Sequence, residues 1–253
     1  MTRTNSKWLR CYADGYDISG DARTIGPLNW SYDEVDLTGY SHAIKGVLPG
    51  HATIGIGTLN AVFDNTATTG VHNILATSGV MRTMLIAVGM LAEPAEGDPA
   101  FMGEFEQEDY MQDGQVGTYI NIPFNSASAR ASSFLYDSPW GILSHEKSAE
   151  TAVNSATGVD NPTGGATSFG GYMVYQVFAG NGTATISVDD SANNSTFAAV
   201  SGLTSGSINC SSPISGRVAI GRTATIRQYT RWQIAFGTAT SVTFALGLSR
   251  AFH

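Results

Sequence analysis

Charged side chains are scarce in this sequence of 253 residues: they make up 13% of it, and lysine occurs only three times. Most of the charges are acidic, which gives a net charge of −8. This balance argues against a protein that grips nucleic acid, because phosphate binding needs clustered lysine and arginine. Glycine, serine, threonine, alanine and asparagine are abundant instead, a composition typical of strands and turns rather than of helices.

Cysteine and long apolar runs are also nearly missing. Cys11 and Cys210 lie far apart and outside any C-x-x-C spacing, so the sequence indicates neither a disulfide framework nor a zinc site. No stretch reaches the ~18 apolar residues that a membrane-spanning helix needs. The opening residues, MTRTNSKWLR, lack the apolar core of a signal peptide. We therefore expect free thiols, synthesis in the cytoplasm and no membrane partner.

Alternation of apolar with small or polar residues predicts strands throughout the second half of the chain. The pattern is clear over residues 185–188 and 242–249, and turn signals rich in glycine and asparagine separate such runs. Over residues 226–236, Trp232 and Ile234 fall on the side that we expect to face a core. An antiparallel β-sandwich satisfies this pattern.

The first half opens with an Asp14-Gly15 pair, which predicts a tight turn between short strands. Three further strands are expected, at residues 52–62, 84–90 and 118–124.

One short stretch, residues 69–78, predicts a helix. Val71, Ile74 and Leu75 fall on one face of it, and Gly79 follows as the residue that ends it. The fold class is therefore all-β with one short helix.

A change in composition suggests two domains. Residues 148–171 are rich in serine, threonine, glycine and asparagine and show almost no apolar periodicity, as in a linker. We therefore predict a β domain in residues 1–147 and a β-sandwich domain in residues 172–253.

No motif of catalysis or of cofactor binding is present. The nearest approach to a nucleophile elbow surrounds Ser168, which lies in the predicted linker and lacks the required strand and helix. The five histidines show no metal-ligand spacing, so we expect them on the surface or in loops. Neither a Walker A sequence nor a dinucleotide fingerprint occurs. We expect no enzyme activity, no cofactor and no metal.

Acidic residues of the first half form the first candidate surface: Asp33, Glu34, Asp36, Glu104, Glu106 and Glu108. Glycoside hydrolysis would need two carboxylates facing each other across a cleft, which no pattern here indicates. We interpret these residues as a solvated or subunit-facing surface, with an edge strand near residues 104–109.

A basic and aromatic row forms the second candidate surface: Arg227, Tyr229 and Arg231. These residues share the parity opposite to Trp232, so they are expected on an exposed strand face. Arginine and tyrosine are enriched at protein interfaces, which favours a subunit contact. A stacking site for a ligand such as a sugar or a base is the alternative.

The order DGYDISG, LNWSYDEVDLTGYSHAIKGVLPG, GVHNILATS and MLIAVG resembles the major tail tube proteins of long-tailed bacteriophages. The later segments YMVYQVFAG, ATISVDDSANNSTFAAV, RQYTRWQIAFGT and VTFALGLSRAF are similar to the additional β-sandwich modules of phage virion proteins. The resemblance covers most of the chain.

This resemblance implies a tail-tube-like fold and a homo-oligomer in the virion. Hexameric rings, or trimeric rings of two-domain chains, would stack into a tube, contact other tail proteins and let DNA pass transiently. The acidic residues would line the lumen, because phosphates slide along a wall of like charge without binding. Residues 37–50 are the candidate stacking hairpin.

Two other functions stay open at this point. A capsid decoration or head-associated protein would have the same composition. The second domain is alternatively a carbohydrate-binding module that uses Tyr229 and Arg231. A hydrolase is the poorest alternative, since no acid, base or nucleophile can be assembled from the motifs.

Overall fold

A computed structural model describes residues 8–38, 47–90, 92–112, 120–126, 138–154, 158–161 and 165–251. Within these ranges the chain forms seventeen strands and one helix, and every strand pair is antiparallel, which confirms the all-β prediction.

The elements follow one another in this order: β1 (Leu9–Ala13), β2 (Tyr16–Asp17), β3 (Ala22–Asp36), β4 (Val47–Ala61), α1 (Val71–Leu75), β5 (Val80–Val88), β6 (Pro99–Gln107), β7 (Met111–Gln112), β8 (Ile120–Ser126), β9 (Trp140–Glu150), β10 (Val159–Asp160), β11 (Gly171–Gly180), β12 (Thr183–Ser191), β13 (Ala198–Thr204), β14 (Ile208–Asn209), β15 (Ile214–Ile220), β16 (Tyr229–Phe236) and β17 (Val242–Arg250).

Two sheets contain these strands. The large sheet has the order β15-β11-β17-β9-β6-β5-β1-β2, and it branches at β6 through β8 to β4, with β3 beyond β4 and β7 beside β8. The small sheet has the order β10-β16-β12-β13, with β14 also paired to β12. Strands from both halves of the sequence therefore share one sheet.

The N-terminal core lies where β3, β4 and α1 pack against β1, β5 and β6. Its buried members include Cys11, Ile18, Ile56, Leu59, Val71, Leu75, Met84, Ile86, Phe101 and Phe105. The rings of Phe101 and Phe105 stack with centroids 5.7 Å apart.

The helix is shorter than predicted but has the predicted face. Val71 and Leu75 are fully buried, whereas residues 76–78 leave the helix and are exposed. Gly79 has a φ of +70°, and its N–H donates to the carbonyl oxygen of Gln107, so the chain turns here into β5.

The C-terminal core fills the space between the two sheets. From the large sheet, β11 and β17 contribute Met173, Val177, Phe244, Leu246 and Leu248. From the small sheet, β12 and β16 contribute Ile186, Val188, Trp232 and Ile234. The predicted inward position of Trp232 is confirmed, and so is the sandwich of the second half.

A third cluster, the junction core, lies where the large sheet rolls so that β11 contacts β5 and β2, although three strands separate β11 from β5 in the sheet order. Its members include Tyr12, Leu85, Met102, Leu143, Tyr172, Val174 and Ala245. The roll needs small residues on its inner side: a Cβ atom at Gly247 would lie 2.7 Å from Leu85 Cδ1 and from Met102 Sδ.

The predicted Asp14-Gly15 turn is confirmed, and it closes the roll. Both residues have positive φ angles, 51° and 84°, and they join β1 to β2. A Cβ atom at Gly15 would lie 2.6 Å from the backbone nitrogen of Ile214, so only glycine fits against β15 here.

Two predictions about organisation meet different outcomes. The prediction of an edge strand near residues 104–109 was wrong, because β6 hydrogen-bonds to β5 on one side and to β8 and β9 on the other. The division at residues 148–171 stays a prediction. That stretch contains the end of β9 and all of β10, and β9 pairs with β17 across it.

Candidate functional site

The longest hairpin of the described chain, β3 with β4, projects beyond the sheet. We call residues 29–38 and 47–53 the arm. On the body side, β4 pairs with both β3 and β8, but its pairing with β8 ends at Ile56. Toward the tip β4 has only β3 beside it among the described strands, and every residue from Asn29 to Thr38 is exposed.

The root of the arm is fixed by packing. Ile54 and Ile56 are buried in the N-terminal core, and Leu28 lies opposite Ile56. A Cβ atom at Gly57 would lie 2.5 Å from Pro27 Cδ, so the glycine of β4 makes room for the proline ring of the neighbouring strand β3. The base of the arm is therefore anchored in the N-terminal core.

Large apolar side chains are concentrated on the arm. Of the ten large hydrophobic residues that are exposed in the described part of the chain, five lie here: Trp30, Tyr32, Val35, Leu37 and Leu48. The rings of Trp30 and Tyr32, two residues apart on one face, lie with centroids 6.1 Å apart. A two-stranded ribbon is marginally stable alone in water, and a clustered apolar surface marks a contact site.

The arm also carries three of the six candidate acidic residues. All three, Asp33, Glu34 and Asp36, are exposed. Asp36 Oδ1 accepts a hydrogen bond of 2.8 Å from the Thr38 N–H. Hydrogen bonds from the Thr38 side chain, and then from its backbone, lower the pKa of the Asp36 carboxyl. Strand alternation places Asp33 on the face opposite to Tyr32.

The other three acidic residues lie at β6. Glu104 and Glu106 are half-buried at alternate positions, and Glu108 follows the strand and is exposed. The pairing Leu28, Ile56, Phe124 and Gln107 forms one row across four strands. Residues paired in such a row lie on the same face of a sheet, and successive residues along a strand lie on opposite faces. Counted from this row along β6 and β3, Glu104, Glu106 and Asp33 lie on one face of the large sheet and Glu34 lies on the other. The lumen role of this set stays a prediction.

The basic and aromatic row has partners within the chain. Arg231 pairs with Asp189 of β12 at 3.2 Å, and its guanidinium lies 4.1 Å from the ring centroid of Phe197. Arg227 lies 3.7 Å from Asp190, whose other oxygen accepts from the Arg227 backbone N–H at 2.7 Å. Tyr229 is half-buried at the start of β16. The interface role of the row stays a prediction.

His145 is not at the surface, which corrects the expectation for the histidines. It is 1% exposed, stacks on Phe244 at 4.1 Å and meets the edge of Trp232 at 4.3 Å. Its Nε2 lies 3.2 Å from Glu150 and 3.3 Å from Ser148 Oγ. Serine and carboxylate share one ring nitrogen here, while Nδ1 faces the carbonyl oxygen of Phe244, so this cluster lacks the relay of a catalytic triad.

Burial makes His145 a source of acid sensitivity. Burial lowers the pKa of His145, although Glu150 and Glu146 act in the opposite direction. The unfolded chain, with an imidazole pKa near 6.5, then binds the proton more readily than the folded chain, so stability falls as the pH drops below that value.

We expect His145→Gln to remove this acid sensitivity. The stability difference between the natural chain and the variant should shrink from pH 7 to pH 5, measured by urea unfolding at each pH. Burial raises the pKa of Glu96, which gives an opposite slope, but this residue is present in both proteins and cancels in the difference. A difference that stays constant with pH would contradict the assignment.

Other chemistry is not visible in the described ranges. No group of three or more His, Cys, Asp or Glu side chains among them is placed to hold a metal ion. The described part also has no helix long and apolar enough to cross a membrane.

Trp30, Tyr32 and Val35 were not among the predicted site residues, whereas Leu37 and Leu48 fall in the predicted stacking hairpin of residues 37–50. Residues 39–46 of that hairpin lie outside the described residues, and its stacking role stays a prediction. The segment LNWSYDEVDL has the alternation of a half-buried strand, and nothing in it says that the neighbouring strand ends early. The signal available in the sequence was the aromatic pair Trp30 and Tyr32, which is followed by three carboxylates.

Comparison with known proteins finds a distant similarity among solved structures. No family model and no curated protein matches the chain. Among solved structures, the chain is similar to the Dit (gp 19.1) protein of phage SPP1, described as a paradigm of the hub adsorption apparatus in phages that infect Gram-positive bacteria. The identity is 12% and the TM-score 0.34, over 97% of this chain and 99% of that one.

Proposed function

We propose that this chain is a structural subunit of a phage tail that assembles with copies of itself into rings, and that the rings stack into a tube for DNA. The observation that carries the proposal is the arm, which holds five of the ten large hydrophobic residues that are exposed in the described part of the chain. A ribbon with this surface gains stability only when something covers it.

Assembly from identical subunits suits the rest of the chain. A sheet edge like that of β3, which has no second partner among the described strands, is a hazard unless another chain covers it. Closed rings remove such edges. Other tail proteins are the further partners in this proposal, and the virion tail is the location.

The acidic candidates have a place in the same proposal. Asp33, Glu104 and Glu106 share one face of the large sheet, and we assign that face to the lumen. With a sequence pI near 4.9, such a wall repels phosphate and offers few attachment points to DNA. Charge reversal at Glu104 and Glu106 should then slow DNA passage without preventing assembly.

Electron microscopy and light scattering of the purified protein test the assembly. We expect rings or tubes from the natural chain and monomers from Trp30→Ser/Tyr32→Ser. Both side chains are exposed, 38% and 50%, so the far-UV circular dichroism should not change. Phe169→Ser, a comparably exposed aromatic residue (41%) outside the arm, is the matched control and should assemble normally.

Each result has a different meaning. Unchanged rings from the double variant would contradict the role of the arm in assembly. Discrete rings that never stack would contradict the proposed tube, but they would support the proposed assembly into rings. Compact particles with no central opening would favour a capsid decoration protein instead.

A further inference from the structure

Two connections between the sheets of the C-terminal sandwich meet at one end of it. Residues 181–182 lead from β11 of the large sheet to β12 of the small sheet, and residues 237–241 lead from β16 of the small sheet back to β17 of the large one. We call the place where these two connections touch the crossover joint. Since the two sheets share no strand, the crossover joint helps to hold them together at this end.

The side chain of Asn181 makes three hydrogen bonds across the crossover joint. Its Oδ1 accepts from the backbone N–H of Thr240 at 2.8 Å and from that of Ser241 at 3.3 Å. Its Nδ2 donates to the Thr240 hydroxyl at 2.9 Å. Both polar atoms of this amide are therefore held against the other connection, although Asn181 is exposed.

The residue after Asn181 has to be glycine. Gly182 has a φ of +61°, and a Cβ atom there would lie 2.5 Å from Thr238 Oγ1. The carbonyl oxygen of Gly182 accepts from the Cys210 N–H at 2.8 Å, which holds the turn in place. The fold thus keeps an Asn-Gly pair at the crossover joint, and the sequence contains no other.

An asparagine that precedes a glycine can modify itself. The backbone nitrogen of the glycine attacks Cγ of the asparagine, and no Cβ atom on the glycine hinders the approach. The new N–Cγ bond closes a five-membered imide. The attacking nitrogen loses its proton to solvent, Nδ2 gains one, and the Cγ–Nδ2 bond breaks as ammonia leaves. Water then opens the imide at either carbonyl, which gives aspartate or isoaspartate.

We propose that Asn181 is a self-modification site that the crossover joint keeps closed, so that its amide is converted only when the joint opens. Ring closure has to bring Cγ onto a nitrogen of its own turn and release Nδ2, whereas the three hydrogen bonds hold the amide against Thr240 and Ser241. A step that breaks these bonds is slowed by at least about tenfold. The proposal does not depend on the function in the phage tail.

The two products have different consequences for the crossover joint. Aspartate keeps an oxygen that accepts from the N–H groups of Thr240 and Ser241, so the joint forms again. Isoaspartate lengthens the backbone between β11 and β12 by one methylene group. The turn has no room for it, because Gly182 already lies too close to Thr238 for a single added carbon. A chain that has formed isoaspartate is therefore left with an open joint.

Peptide mapping by mass spectrometry tests the site and its closure together. The natural chain is incubated folded and, in parallel, unfolded in guanidinium chloride, with the two states checked by far-UV circular dichroism. Asn181 should be converted at least about tenfold faster in the unfolded sample. Equal rates would overturn the closure, and a faster rate in the folded chain would mean that the two N–H groups on Oδ1 promote the attack instead.

Asn193 is the matched control within the same chain. It is exposed, and its Oδ1 also accepts from two backbone N–H groups, those of Ser195 and Thr196, at 3.1 Å each. Asn194 follows it, however, so a Cβ atom hinders the attack. Asn193 should stay intact in both samples while Asn181 is converted in the unfolded one. If Asn181 is not converted faster than Asn193 after unfolding, the self-modification site is overturned.

Thr240→Val tests the hydrogen bonds without unfolding the chain. Valine keeps the backbone N–H of residue 240 but removes the hydroxyl that accepts from Asn181 Nδ2. Conversion of Asn181 in the folded variant should be about two- to tenfold faster, with no change in guanidinium chloride. Thr223→Val, at an exposed threonine of another loop, should leave both rates unchanged. A folded Thr240→Val chain that converts no faster than the natural one contradicts the closure by these bonds.

Discussion

Replacing Gln176 with leucine is expected to lower the free energy of unfolding by about 2–4 kcal/mol, because the change leaves the buried Gly15 N–H without its partner and removes a second hydrogen bond to the Thr83 carbonyl oxygen. Gln176 is fully buried in β11, on the inner side of the rolled sheet. Its Oε1 accepts from the Gly15 N–H at 2.6 Å, and its Nε2 donates to the Thr83 carbonyl oxygen at 2.8 Å.

The two hydrogen bonds of the Gln176 side chain connect β11 to two other parts of the large sheet. One joins β11 to the turn between β1 and β2, and the other joins it to β5, so a single amide group ties together strands that are not neighbours in the sheet. Leucine has nearly the same volume but cannot replace either bond. The orphaned Gly15 N–H then costs about 1–3 kcal/mol of desolvation. The Thr83 carbonyl oxygen still accepts from the Asp14 N–H at 3.0 Å, so its lost bond adds only about 0.5–1.5 kcal/mol.

Urea unfolding followed by circular dichroism measures this loss. Gln112→Leu is the matched control, because Gln112 is exposed in β7 and its replacement should change stability by about 0.5 kcal/mol or less. A loss below about 1 kcal/mol for Gln176→Leu would mean that water or a shifted backbone satisfies the Gly15 N–H in the variant.

Local patterns in the sequence were sufficient to predict much of the fold. Alternation predicted that Trp232 faces a core, and the Asp14-Gly15 pair predicted the first turn; both are confirmed. Val71 and Leu75 were predicted on the buried face of a helix, which is also observed. These signals are local, because they depend only on residues a few positions apart.

The roll of the large sheet could not be predicted in this way. Residues 171–177 of β11 are buried on both faces, because β5 and β2 cover the side of Tyr172 and Gln176 while the small sheet covers the other. In the sequence this segment is simply an apolar run interrupted by a glutamine. The contacts that bury it join residues about a hundred positions apart, and local alternation carries no information on them.

The aromatic part of the arm, Trp30 and Tyr32, was not identified as a site for a similar reason, whereas its outer part falls in the candidate stacking hairpin of residues 37–50. Its alternation matches that of any half-buried strand. The arm is exposed because the pairing of β4 with β8 stops at Ile56. The sequence of β3 does not indicate where the pairing between β4 and β8 ends. The acidic residues around it were noticed because charge can be recognised without knowing what lies nearby.

Replacing Tyr172 with alanine is expected to destabilise both halves of the chain together, by about 3–5 kcal/mol. Tyr172 is fully buried in the junction core, and its hydroxyl donates to the carbonyl oxygens of Met102 at 3.0 Å and Ser138 at 2.9 Å. The guanidinium of Arg217 lies 4.2 Å from its ring centroid. Alanine would leave a cavity between strands that come from both predicted domains.

Hydrogen exchange tells the two possible outcomes apart. If the shared sheet makes the chain one cooperative unit, exchange should speed up equally in β5 (Val80–Val88) and in β12 (Thr183–Ser191). If residues 148–171 separate two independent domains, only β12 should respond, since Tyr172 belongs to the second of them. Tyr172→Phe is the control: it keeps the ring and loses only the hydroxyl contacts, so a smaller effect of about 1 kcal/mol is expected in the same regions.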